Sequence, residues 1–176
     1  MKKLFDIGKS LANSNKKKGM KFEERIEKMF EGRLCFNIKR NVILKDKNGN
    51  TSEIDIVYGI FFKKYIECKC YDHSPVPLKD VAKFKEVLSL NNINIANGMF
   101  ITSNYYVPRA TTIGIQTIDG IELKKMEMRT PFIGILKFFL YSAGFIGFCG
   151  LSVFVLNHYK NNFEIGRNKN SFNGGG

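Results

Sequence analysis

Residues 52–70 read SEIDIVYGIFFKKYIECKC, two strand-like runs joined by a turn at Gly59, with acids where an ordinary buried strand carries valine. Strand side chains alternate with a period of two, so Glu53 and Asp55 share one face while Ile54, Ile56 and Tyr58 share the other. The second run repeats the arrangement, with Glu67 and Lys69 pointing one way and Ile66, Cys68 and Cys70 pointing towards the core. An isolated buried carboxylate is costly, so acids placed beside a core either meet a cation or hold a metal.

Across the turn these residues spell Asp-x11-Glu-x-Lys, from Asp55 through Glu67 to Lys69. Paired strands lie about 4.8 Å apart, close enough for the carboxylates of Asp55 and Glu67 to share one divalent cation. Mg2+ takes a few carboxylate oxygens and keeps several waters, and such a water is a ready nucleophile for a phosphodiester; Mn2+ is the alternative ion. Lys69, on the face of Glu67, is placed to orient or deprotonate that water and to offset charge developing on phosphorus.

The 176 residues suit one domain of ordinary size with a further segment, and the formal net charge of +12 favours nucleic acid or an anionic membrane surface as partner. Cys35, Cys68, Cys70 and Cys149 lack the paired spacing of a zinc site and read as reduced thiols. Residues 1–18 hold six lysines and one acid and read as a basic flexible arm, without the apolar run of a secretory signal. From Gly19 the spacing of Phe22, Ile26, Met29 and Phe30 predicts a helix ended by Gly32, with Glu23 beside its apolar stripe.

Residues 34–44 alternate loosely, and Asn48-Gly49 marks a hairpin turn into residues 52–70. YDHSPVPL, with two prolines, is a loop; Val81, Phe84 and Leu88 then predict a second helix. GMFIT reads as a buried strand, VPRATTIGIQ as the opening of another helix and IQTIDGIEL as a last strand. The order α-β-β-β-α-β-α-β predicts an α/β sandwich with a mixed sheet.

Residues 138–156 contain no charge over 19 positions, about 28 Å of helix and close to a bilayer core. A transmembrane helix over 131–157 is therefore expected, with a polar disordered tail over 158–176; a buried C-terminal helix is the alternative. Basic residues flank both ends, so charge orients the span weakly, and the domain is expected on the cytoplasmic or organelle-interior side, where nucleic acid is. Ala143, Gly147 and Gly150 would let two such helices pack closely, leaving a homodimer open.

Over residues 19–124 the chain resembles the PD-(D/E)XK nuclease superfamily and, within it, the Mrr-type restriction endonucleases. The resemblance is carried by KGMKFEERI with Gly19, Phe22 and Glu23, by SEIDIV with Asp55, by YIECK with Glu67 and Lys69, and by GMFITSNYYVPRA followed by IDGIEL. It implies a restriction-endonuclease-like αβββαβ sandwich with a central mixed sheet over 19–128, and a catalytic set of Asp55, Glu67 and Lys69. Glu23 matches a first-helix glutamate that completes the metal site in similar enzymes. The sequence departs from the family pattern in two places. Glu53-Ile54 replaces the proline-aspartate that often precedes the first acid, and no glutamine closely follows Lys69, which makes Lys79 and Lys83 on the next helix candidates for that role. Arg109, with Tyr105 and Tyr106, is a candidate nucleic-acid clamp, whereas His73 reads as a solvated loop residue. The expectation is a membrane-anchored, divalent-metal-dependent endonuclease acting on DNA, with RNA left open. The alternative is a catalytically inactive nucleic-acid-binding or scaffolding protein at the membrane.

Overall fold

The computed structural model describes residues 2–171, with side chains for 13–146 and 151–153. It divides into two compact units, residues 1–134 and 135–176.

Helix α1 spans Lys2–Gly32. Phe22, Ile26, Met29 and Phe30 recur one turn or two apart and are all 5% exposed or less, each such side chain contributing about 1.5–3 kcal/mol on burial. The helix is closed by a left-handed residue at Leu34 (φ 51°), with Cys35 N–H donating to Phe30 O at 3.1 Å and Leu34 N–H to Glu31 O at 2.9 Å. Gly32, expected as the terminator, serves another end: a Cβ there would stand 2.8 Å from Thr130 Cγ2. Its missing side chain lets the helix containing Thr130 approach. Residues 2–18 continue the same helix, where an arm without regular structure was expected; no proline interrupts them.

Five strands form one mixed sheet in the order β1 (Lys39–Lys45), β2 (Thr51–Tyr58), β3 (Lys64–Lys69), β4 (Gly98–Thr102), β5 (Gln116–Ile118). The first three are antiparallel neighbours; β3, β4 and β5 run parallel. Asp46 shapes the β1–β2 turn, its carboxylate accepting from the N–H groups of Asn48 and Asn50. Both faces of the sheet are covered. Ile56, Ile66, Cys68, Met99, Ile101 and Ile118 pack with the α1 stripe and Leu123. On the other face Ile54, Val57, Phe100, Ala110 and Ile115 pack with Val81, Phe84 and Leu88 of helix α2 (Leu78–Leu90).

Those two cores correct the simple alternation of β2. Ile54 lies on the α2 side and Ile56, two residues on, lies on the α1 side, so the strand rolls over at Asp55. The facing strand rolls at the same level. Arg40 pairs with Glu23 of α1, Val42 packs on the α2 side, and Asn41 between them has φ 50°. Asparagine tolerates this left-handed conformation better than most residues.

The segment VPRATTIGIQ makes only a short 3-10 turn, Pro108–Thr112, in which the hydroxyls of Thr111 and Thr112 donate back to Pro108 O and Arg109 O. IQTIDGIEL divides: Gln116–Ile118 is strand, whereas Asp119 caps helix α3 (Gly120–Ser171) by accepting from the N–H groups of Ile121 and Glu122. Gln116–Ile118 and α3 thus replace the expected long strand. Helix α3 passes through Pro131 without a break, and it runs on to Ser171 across most of the expected tail; residues 172–176 lie outside the described residues. Among the described residues it is the one helix long and apolar enough to cross a membrane, within Gly120–Val153. Phe138, Phe139, Phe145 and Ile146 are each more than 60% exposed.

Candidate active site

The roll of β2 creates the site. Three ladder pairs join β2 to β3, from Tyr58↔Lys64 to Ile56↔Ile66, and the main chains then part. At the next position Asp55 Oδ2 takes the place of a main-chain acceptor and receives the N–H of Cys68 at 2.6 Å. A carboxylate is thus held between two strands, beside Glu67. Burial, and then the charge of Glu67, push Asp55 up to about 7. The Cys68 thiol, buried beneath the same acids, is pushed well up and stays protonated, whereas Cys70, expected to point towards the core, lies past the end of β3 and is exposed.

Lys69 answers part of this negative charge, its Nζ lying 2.7 Å from Glu67 Oε1. Burial pulls the ammonium down, but Glu67 and Asp55 outweigh it and the net direction is upward. Lys69 therefore stays charged through the neutral range. A cleft of about 390 Å3 opens beside the pair, lined by Glu67 and Lys69 of β3, Thr51 to Ile54 of β2, and Asp80, Lys83, Phe84 and Val87 of α2. Its walls carry both signs of charge, and Asp55 is outside them.

The sequence-expected residues separate into two groups. Asp55, Glu67 and Lys69 stand together, and Lys83 faces Glu67 and Lys69 across the cleft. Glu23 is close enough to raise Asp55, yet its carboxylate is held by Arg40 Nη2 at 3.0 Å, with Glu27 on the same guanidinium at 3.5 Å. Lys79 is exposed outside the cleft, and Arg109 is exposed on the 3-10 turn. Lys18, expected on the arm, pairs with Asp72 in the loop after β3 at 2.5 Å.

Sequence reasoning missed Arg40, Asp80 and Tyr71. Asp80 stands in the first turn of α2, where an acid reads as favourable to the helix dipole alone. In the fold it receives the hydroxyl of Tyr71, which burial and then that hydrogen bond push up to about 12. The link ties the start of α2 to the chain leaving β3, two residues past Lys69.

Asp55 and Glu67 fit a divalent cation by their chemistry: two acids stand side by side, and burial, then the charge of Glu67, drives Asp55 towards neutrality. Among the described residues no three acidic, histidine or cysteine side chains converge as a ligand group. With Glu23 drawn aside by Arg40, two carboxylates remain.

The model of the restriction endonuclease family, in its Mrr catalytic-domain form, matches residues 15–127. The chain belongs to that family. The family is one of restriction endonucleases, whose general cofactors are divalent metals. No curated protein matches the chain. Among solved structures it is similar to a protein of unknown function, AF1548, with 20% identity and TM-score 0.47 over 55% of each chain. It is also similar to the DNA modification-dependent restriction endonuclease AspBHI, with 14% identity and TM-score 0.39, over 75% of this chain and 38% of that one. The chain thus spans about half or less of the length of these structures.

Proposed function

We propose that the protein is a membrane-anchored, divalent-metal-dependent endonuclease that hydrolyses DNA phosphodiester bonds, with Mg2+ as the natural ion. The observation that carries this reading is the cluster of Asp55, Glu67 and Lys69 at the point where β2 and β3 part, beside an open cleft. Asp55 and Glu67 would hold the ion, joined by Glu23 if it leaves Arg40. A divalent ion so held supplies positive charge to the phosphate and a water of lowered pKa.

The chain's own residues do the rest. In the metal-free fold Glu67 and Asp55 raise Lys69, so its Nζ carries a proton there. It donates to the attacking water or to a phosphate oxygen and offsets the charge gathering there. Lys83, on the opposite wall, is placed to meet a neighbouring phosphate. Cys68 contributes its N–H, which fixes the carboxylate of Asp55, and its thiol stays neutral. Residues 131–157 anchor the domain; the exposed apolar side chains of Phe138, Phe139, Leu140, Phe145 and Ile146 support this.

Lys69→Ala tests the catalytic part. Removing a positioned charge from the transition state lowers the cleavage rate by about a hundredfold or more, whereas losing one phosphate contact among many leaves DNA affinity within about tenfold. Full-length parent and variant are compared for Mg2+-dependent cleavage and for binding of duplex, branched and methylated DNA. Equal Mg2+-dependent cleavage by both removes Lys69 from the chemistry, and none by either with Mg2+ or Mn2+ sinks the catalytic reading. The second reading, a nucleic-acid-binding protein without catalysis, is favoured by one observation: Lys69 and Arg40 already neutralise Glu67 and Glu23.

A further inference from the structure

The two most exposed large apolar side chains among the described residues, Phe61 and Phe62, lie on the β2–β3 turn beside Ile60. Phe61 is 90% exposed, Phe62 89% and Ile60 60%. By contrast, Phe22, Phe30, Phe84 and Phe100 of the core are at 5% or less. Scattered exposed apolar residues are ordinary, but three in succession at a turn form a patch of the kind that marks an interaction surface.

The turn is firmly built at its base. Gly59 has φ 104°, and a Cβ on it would stand 2.3 Å from Phe62 O, so the chain doubles back tightly there. Gly59 N–H donates to Phe36 O at 2.8 Å, Asn37 Nδ2 donates to Gly59 O at 3.2 Å, and Lys64 Nζ donates to Ala96 O at 2.8 Å. Phe36, whose carbonyl receives the Gly59 N–H, is 52% exposed, and Lys63, next to Phe62, and Lys39, opposite Val57 in the ladder, are exposed as well. An apolar crown with lysines at its rim matches the interfacial zone of an anionic bilayer, where rings enter the headgroup region and ammonium groups meet phosphates.

We propose that Ile60, Phe61 and Phe62 insert into the interface of an anionic phospholipid bilayer, giving the protein a second membrane contact besides residues 131–157. The proposal rests on the membrane-anchored reading above: a chain already tethered makes the second contact at high effective concentration, so a small apolar crown suffices. DNA is the less fitting occupant. Three ladder pairs, about 10 Å of strand, separate the turn from Asp55 and Glu67, and none of the three residues lines the cleft.

The sequence contains no tryptophan, so a single introduced one reports without background. Phe62→Trp and, separately, Phe139→Trp are placed in the full-length chain and reconstituted into phosphatidylcholine/phosphatidylglycerol vesicles with and without brominated acyl chains. The expected result is a blue shift of the Phe62→Trp emission and quenching by brominated lipid, weakened in vesicles of phosphatidylcholine alone; Phe61→Trp repeats the measurement. If Phe139→Trp is quenched and neither turn reporter is, the proposal is overturned and the anchor reading stands. If only the turn reporters are quenched, insertion of the turn holds by itself, while the anchor reading and the tether argued from it fail. Emission that responds to duplex DNA, or to protein concentration in lipid-free detergent, but not to brominated lipid assigns the turn to DNA or to a second copy and overturns the proposal.

Discussion

Burial, and then the charge of Glu67, raise Asp55 from 3.8 to about 7, which makes its carboxylate a cost to the metal-free fold. Below the unfolded value both states carry the proton and nothing is lost. As pH rises from about 4 to about 7 the unfolded chain gives up that proton while the folded one keeps it, so stability falls across this window. Asp55→Asn still accepts the Cys68 N–H and carries no titratable group. In urea unfolding without metal the variant matches the parent at pH 4 and exceeds it at pH 8 by about 4 kcal/mol. Mg2+ narrows that gap by stabilising the parent alone. An equal pH dependence for both proteins would show that Asp55 is not the strained acid. Its identity was legible in the sequence from the spacing to Glu67 and Lys69. The reason it is strained was not: that depends on Asn41 rolling β1 and on the parting of β2 from β3, and alternation carries no sign of either.

At the scale of elements, apolar periodicity located α1, α2 and β4, since each buries one stripe or a whole run. It failed where local hydrogen bonding decides, as in the turn of Thr111 and Thr112 and the cap made by Asp119. It also misread Gly32, because a glycine near a helix end reads as a cap whether or not another helix presses on it. Two substitutions separate these meanings. Within a helix, glycine to alanine normally stabilises by about 1 kcal/mol, and Gly19→Ala follows the rule, since nothing lies within 4 Å of the added Cβ. At Gly32 the same Cβ meets Thr130 Cγ2 at 2.8 Å, and the sign reverses to a loss of about 1–3 kcal/mol. Thermal unfolding of the two variants beside the parent checks the pair. A gain at both positions would mean that α1 and the start of α3 are not in contact at Gly32.

On the scale of the whole molecule, the chain joins a basic nuclease-family domain to an apolar helical segment, and their covalent continuity in α3 fixes how a tether must be tested. Charge alone could hold a chain of net charge +12 on an anionic surface, and that attraction is screened at high salt. A span of about 20 apolar residues is indifferent to salt and yields only to detergent. The full-length protein is therefore expected to remain in the membrane pellet through molar salt and alkaline carbonate and to leave it in detergent. The cut that frees the domain has to respect its packing. Ending the chain at Thr130 would remove Gly134, whose position against Gly32 O leaves no room for a Cβ. Ending it after Leu136 keeps both Thr130 and Gly134 and still removes the uncharged run. That truncated protein is expected in the soluble fraction, folded and with its DNA binding intact. Release of the full-length chain by salt alone would assign the attachment to charge and remove the anchor, while leaving the chemistry of Asp55, Glu67 and Lys69 untouched.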